Sequence, residues 1–292
     1  MYKEKIKAYL RDGSESQGDL SKKIGISASA LSLYLKGDYK TPEALEVKIA
    51  AFFDLIETAG SFNVKKPKFV TTSISSVILS SITYCHVQKS MGIIYGDAGV
   101  GKTISIIEYA KNHPEALVIR AGVATSRPLA FLKSLARKLK CSYAKRLDEI
   151  YLDLVDKLMG TEKIIIIDEA QHLPYTTLEN IRDIHDECNI PIVLVGNKEV
   201  YSKLLGKGEA AFAQLFSRNA IRKEITTNHI QKSDIGLMFQ NLDSSAVEYL
   251  YNVAITRWGI RGAIYAYLNA VNNNDITVSG FKKVIKLMGI VV

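Results

Sequence analysis

The sequence predicts an α/β protein built on a parallel sheet with helices on both faces. A small all-helical unit precedes the sheet and a helical segment follows it. Three observations carry this reading. From about residue 73, short apolar runs alternate with segments of helical period. One of those runs, Ile164 to Ile167, is aliphatic throughout, as expected of a central strand covered on both sides. Before residue 57 and after residue 230, only helical periodicity is present. A chain of 292 residues accommodates about two domains. We divide it into a helix-turn-helix unit at 1–56, a linker at 57–72, an α/β core at 73–229 and a C-terminal helical lid at 230–292.

In the first unit, apolar residues fall at helical spacing in Ile6, Tyr9 and Leu10, in Leu20 and Ile24, in Ala30, Leu31, Tyr34 and Leu35, and from Leu45 to Phe53. Gly25 can supply the positive φ of a tight turn, and Ser27 can cap the helix that follows. Gln17–Ile24 and about Ser27–Lys36 therefore read as the two helices of a helix-turn-helix. Gly60, Pro67, Lys65, Lys66 and Lys68 mark the linker. The core strands expected in order are Met91–Tyr95, Ala116–Arg120, Lys163–Ile167, Ile190–Val195 and Ile221–Ile225. The helices expected between them are Ser73–Lys89, Lys102–Asn112, Pro128–Lys140, Leu147–Met159 and Thr176–Cys188. The lid is expected to hold helices at Ile235–Gln240, Ser245–Thr256, Arg261–Val271 and Ser279–Met288.

Composition excludes several classes. Hydrophobic residues make up 47% and charged residues 23%, which rules out a disordered or collagen-like chain. No apolar run approaches the roughly 18–20 residues of a membrane span. The first residues are mixed in charge and lack a signal-peptide core, so a cytoplasmic protein without membrane contact is expected. Cys85, Cys141 and Cys188 are odd in number and far apart, which argues against a disulfide framework or a zinc site. The net charge of +8 is concentrated: residues 61–160 hold fifteen Lys and Arg against seven Asp and Glu. That asymmetry points to a polyanion-binding face, nucleic acid above all, although lysines also solvate helix surfaces.

Chemistry is written most plainly in Gly96, Asp97, Ala98, Gly99, Val100, Gly101, Lys102 and Thr103. They match G-x-x-x-x-G-K-[ST] and lie between an expected strand and an expected helix. The glycines let backbone N–H groups turn inward around phosphates, and the helix N-terminus adds partial positive charge. Lys102 would reach the β- and γ-phosphates of ATP, and Thr103 would hold Mg²⁺. The aliphatic run ends in Asp168 and Glu169, a Walker-B pattern. Asp168 would share the metal, and Glu169 would turn a water toward the γ-phosphate as general base. A third apolar strand delivers Asn197 at its C-terminal end, where it can orient that water as sensor 1 or simply cap the next helix. Arg218, with Arg222 as second choice, is a candidate to reach a neighbouring subunit's nucleotide. Arg261, at the start of a lid helix, is a candidate to approach the phosphates as sensor 2.

Taken together, "GDAGVGKT", "IIIIDEAQHL", "IVLVGNKEVYS" and "FAQLFSR", framed by a helix-turn-helix and a short helical lid, resemble the AAA+ ATPases of the phage Mu B, IstB and TnsC transposition family. The resemblance covers nearly the whole chain, most strongly from Gly92 to Arg222 and least in the lid. It implies a P-loop AAA+ core and an ATPase that binds double-stranded DNA without sequence preference. It further implies an ATP-dependent helical homo-oligomer on DNA that recruits and stimulates a DDE transposase. Loops matching Thr125, Ser126, Arg127, Lys145 and Arg146 face the filament bore in this family, and Lys/Arg and hydroxyl contacts to phosphates position a protein without reading sequence. Residues 1–60, which contain the helix-turn-helix, have zero net charge, so DNA binding, a transposase contact or mere packing all stay open for it. Two other functions fit the same motifs: a helicase loader or replication initiator, and a nucleotide-switched helix-turn-helix regulator.

Overall fold

The computed structural model describes residues 2–12, 15–61, 68–141, 146–205, 219–239 and 241–290. It divides into two compact units, Met1–Lys65 and Lys66–Val292. The first holds α1 (Tyr2–Asp12), α2 (Gln17–Ile24), α3 (Ala28–Lys36) and α4 (Pro42–Ser61). Local chemistry sets these boundaries. Ser16 and Ser27 accept the N–H groups of Asp19 and Ala30, so each caps its helix. Gly25 closes α2 at φ 74°, a conformation that costs glycine little. Ile6, Leu20, Leu31, Tyr34, Ile49 and Phe53 form the core of this unit. One expectation needs correction: α4 runs on to Ser61, so the first residues of the segment read as linker are helical. No proline intervenes before Pro67, and a glycine in a last turn is tolerated.

The second unit is a five-stranded sheet in the order β2-β3-β4-β1-β5, parallel at every pairing. Its strands are β1 (Met91–Gly96), β2 (Ala116–Arg120), β3 (Ile164–Asp168), β4 (Ile192–Gly196) and β5 (Asn219–Ile225). Between them lie α5 (Ser73–Val87, before β1), α6 (Lys102–Asn112), α7 (Pro128–Lys138), α8 (Leu147–Leu158), α9 (Tyr175–Cys188) and α10 (Lys198–Leu205). β4 begins two residues later than the apolar pattern suggests, because Pro191 has no N–H to give a ladder. Among the described residues, β5 is followed by the α-helices α11 (Lys232–Met238), α12 (Ser244–Ala254), α13 (Gly259–Asn272) and α14 (Val278–Leu287). The first starts earlier than its apolar spacing implies, because the Asp234 carboxylate accepts the Gln231 N–H and caps it. Gln240, the expected end of that helix, lies outside the described residues.

Strand residues alternate between two cores. Ile164, Ile166, Val193 and Val195 face a cluster built with α5 and α6, while Ile165, Ile167, Ile192 and Leu194 face one built with α7, α8 and α9. That period of two is why a fully aliphatic strand is needed at the centre. The segment read as a separate lid shares the first cluster: Leu250, Val253, Ala263, Ala266 and Phe281 join Ile78 and Ile82 of α5 there. Small side chains let these helices approach closely. Phe281 is fully buried. Phe281→Ala is expected to cost about 3–5 kcal/mol and to lower Tm by roughly 10 °C, as calorimetry would read. The three cysteines are buried and free. Among the described residues, no helix is long and apolar enough to cross a membrane.

Candidate nucleotide site

Parallel order places the C-terminal ends of β1, β3 and β4 side by side, the usual location of a site in an open α/β sheet. β1 ends at Gly96, and the chain turns through residues 97–101 into the N-terminus of α6. The loop is anchored twice at its first residue. The Asp97 N–H donates to the Ile225 carbonyl at 2.9 Å, and the Asp97 carboxylate accepts the Thr227 N–H at 2.9 Å. At its crest, Gly99 has φ 76°, and a Cβ there would stand 2.7 Å from the Trp258 carbonyl. The Arg261 N–H donates to the Gly99 carbonyl at 3.1 Å, so the start of α13 rests directly on the loop.

Lys102 folds back over this loop and donates to the Gly96 carbonyl at 3.1 Å and the Asp97 carbonyl at 2.5 Å. Burial lowers its pKa from the usual lysine value, and Glu169, Asp168 and Asp97 oppose that shift. Thr103 Oγ1 donates to Asp168 Oδ2 at 2.8 Å. Asp168 is 5% exposed. Burial raises its pKa from the usual carboxylate value, against the stabilising bonds from Thr103 and from the Glu169 N–H.

Glu169 follows with φ 56°, in the left-handed region. That turn takes the chain off the strand, so two successive carboxylates serve different places. Glu169 Oε2 accepts from Gln171 Nε2 at 2.5 Å, while its Oε1 lies 3.6 Å from Arg120 Nη2. Arg120 reaches it because the register pairs Arg120 with Asp168 across β2 and β3. From the next strand, Asn197 lines the same cavity, and its Oδ1 accepts the Glu199 N–H at 2.9 Å. The cap and the cavity placement expected as alternatives thus coexist in one side chain.

These groups line a cavity of about 590 Å³. Its lining includes the loop with Lys102, Thr103, Asp168 and Glu169, and the apolar Phe69, Val70, Ile260, Ile264 and Tyr265. A glycine-rich loop at a helix N-terminus, a lysine, a hydroxyl–carboxylate pair and apolar lining residues suit a nucleoside triphosphate with a hard divalent cation. A second group of possible metal ligands, His86, His113 and Glu115, lies at the opposite ends of the strands. These side chains already have hydrogen-bond partners: His86 bonds the Tyr109 hydroxyl and the Glu162 carbonyl, and His113 bonds Glu115.

A family model described as an AAA domain matches residues 85–204, which span the loop, both acids and Asn197. DNA transposition protein B of the Mu-like prophage FluMu from Haemophilus influenzae is 32% identical over 265 residues, covering 88% of this chain and 92% of that protein. The chain belongs to the Mu B family of AAA+ ATPases. ATP-dependent target DNA activator B of Escherichia phage Mu is 29% identical over 237 residues, 79% of this chain and 75% of the relative. Two solved structures share the fold at 17% identity. Cdc6p from Pyrobaculum aerophilum has a TM-score of 0.57 over 78% of this chain and 70% of its own. A Walker-type ATPase of Pyrococcus abyssi has a TM-score of 0.51 over 72% and 71%.

Of the other described residues singled out in this Mu B family ATPase, Arg261 lines the cavity, and Thr125, Ser126, Arg127, Arg146 and Arg222 are not part of its lining. Arg218 and Lys145 lie outside the described residues. Arg222 sits in edge strand β5 opposite Ile93, away from the cavity lining. Thr125 closes a single 3₁₀ turn, Val123–Thr125, beyond β2. The Ser126 carbonyl accepts from Thr177 Oγ1 at 2.7 Å, which ties that turn to α9, and exposed Arg127 precedes α7. Arg146 precedes α8 and pairs with Asp148 at 3.0 Å, so its charge is partly spoken for. Sequence reasoning missed Gln171 and the contact of Arg120 with Glu169. Only strand order and register reveal either one.

Proposed function

We propose that this ATPase binds ATP with Mg²⁺ between protomers, assembles as a helical homo-oligomer on double-stranded DNA without sequence preference, and there recruits and activates a DDE transposase. The observation that carries the reading is the cavity in which Lys102, the Thr103–Asp168 pair and a separately turned Glu169 converge. Bound Mg²⁺ would supply charge neutralisation between the phosphates. The chain's own groups do the rest. Lys102 exchanges its two carbonyl partners for phosphate oxygens, and Thr103 and Asp168 hold the metal. Glu169 accepts a proton from the attacking water, and Asn197 helps orient it. Arg218 or Arg222 reaches the nucleotide of the adjoining protomer, and Arg261 approaches from the lid.

DNA contact falls to Thr125, Ser126, Arg127, Lys145 and Arg146, in the block that holds the chain's basic excess. The names of the phage relatives, target DNA activators dependent on ATP, support DNA as the partner. The test is ATP-dependent binding to duplexes of unrelated sequence. Similar affinities for all of them support the reading; no binding with ATP at moderate salt removes it. Counterion release sets the salt response. A protomer neutralising about three phosphates should lose roughly fortyfold in affinity between 50 and 200 mM salt. A salt-independent affinity would exclude phosphate contact as its source.

A further inference from the structure

We propose that Gln171 is a positioning residue that fixes the Glu169 carboxylate for proton transfer, an inference that rests on reading Glu169 as the general base. Gln171 lies in a 3₁₀ turn, Ala170–His172, just beyond β3, and is 7% exposed. Both ends of its amide are engaged. Its Oε1 accepts the Asn197 backbone N–H at 3.3 Å, and its Nε2 donates to Glu169 Oε2 at 2.5 Å. The polarity is forced. A backbone N–H can only donate, so it faces the amide oxygen and leaves the NH₂ toward the carboxylate. A glutamate in this position would offer no donor to Glu169.

The clamp has a cost in the sequence. Gly196 precedes Asn197, and a Cβ at Gly196 would stand 2.4 Å from Gln171 Oε1 and 2.5 Å from Val200 Cγ2. Only glycine leaves room for the amide to cross from the β3 exit to the β4 exit. The result joins the two strand ends that carry the base and the water-orienting Asn197. A long glutamate side chain samples several rotamers when unrestrained, and reaction geometry tolerates little misplacement. With Oε2 held by Gln171, the other oxygen, Oε1, is the one presented for the water proton. Gln171 itself has no basic group and takes no proton.

The experiment compares Gln171→Met, Glu169→Gln and the double variant of the full chain, measuring ATP turnover and the Kd of a non-hydrolysable ATP analogue. Methionine keeps the volume and removes both hydrogen bonds, so a packing role would survive it. We expect Gln171→Met to lower kcat about 10- to 100-fold while analogue Kd stays within about threefold. In the Glu169→Gln background the same change should add no further loss, since both act through one carboxylate. Wild-type kcat in Gln171→Met, or an equal additional loss in the double variant, overturns the positioning role. Wild-type kcat in Glu169→Gln overturns the base reading itself, and with it this role.

Discussion

Lys102→Ala should weaken ATP binding at least about 100-fold, with no loss of fold. The half-buried Lys102 ammonium lies against the loop and spends its hydrogen bonds on two backbone carbonyls, Gly96 and Asp97. Burial already disfavours its charge, as the lowered pKa records, and the nearby carboxylates of Glu169, Asp168 and Asp97 only partly compensate. A triphosphate supplies what the carbonyls do not, formal negative charge within hydrogen-bond reach. Each charge-assisted bond contributes about 1.5–3 kcal/mol, so losing two of them corresponds to a hundredfold change or more. Removing this half-buried charge costs the empty protein little, so Tm should hold. Titration of a fluorescent ATP analogue, with calorimetric Tm as control, reads both quantities. Affinity within threefold of wild type would mean that the loop amides alone hold the nucleotide. ATP-dependent DNA binding should disappear in the same variant.

How much of this site the sequence discloses depends on how far apart its parts are along the chain. Gly96 to Thr103 is a local signal, because one turn and one helix start require that spacing within eight residues. Asp168 and Glu169 are equally local, since an aliphatic strand announces its own end. The positive φ of Glu169, which separates the work of the two acids, has no such signature. Long-range contacts are hidden altogether. Arg120 meets Glu169 only because β2 lies beside β3, and Gln171 meets Asn197 only because β4 lies on the other side of β3. Period-two patterning names the buried strands but not their order. The sequence sets the lid apart because the strand pattern stops near residue 230. Its alanine-lined helices nevertheless fill the core that α5 begins, a packing decision invisible to periodicity. The extent of α4 was misjudged for the reverse reason. Turn-forming residues near Gly60 and Pro67 suggested a break that helix propensity overrode as far as Ser61.

Glu169→Gln should separate binding from turnover. Asp168 is committed: its Oδ2 accepts from Thr103, its Oδ1 accepts the Glu169 N–H, and it is nearly inaccessible. Glu169 is turned out of the strand, lines the cavity and leaves its carboxylate between Gln171 and Arg120. Of the two acids it alone has an oxygen placed to take a proton from a cavity water. The amide keeps size and shape but has almost no basicity. Loss of a positioned base typically lowers a rate by about 10²–10⁴-fold. We expect kcat for ATP to fall within that range while analogue affinity stays within about threefold, because Lys102, Thr103 and Asp168 are untouched. Asp168→Asn provides the contrast, since it removes the residue proposed to hold the metal, and affinity and turnover should fall together. If hydrolysis dismantles the DNA-bound assembly, complexes of the Glu169→Gln protein should also outlive those of wild type by a comparable factor after dilution. A wild-type hydrolysis rate would assign the base to another group. Slow hydrolysis with rapid DNA release would instead detach disassembly from the chemistry of this carboxylate.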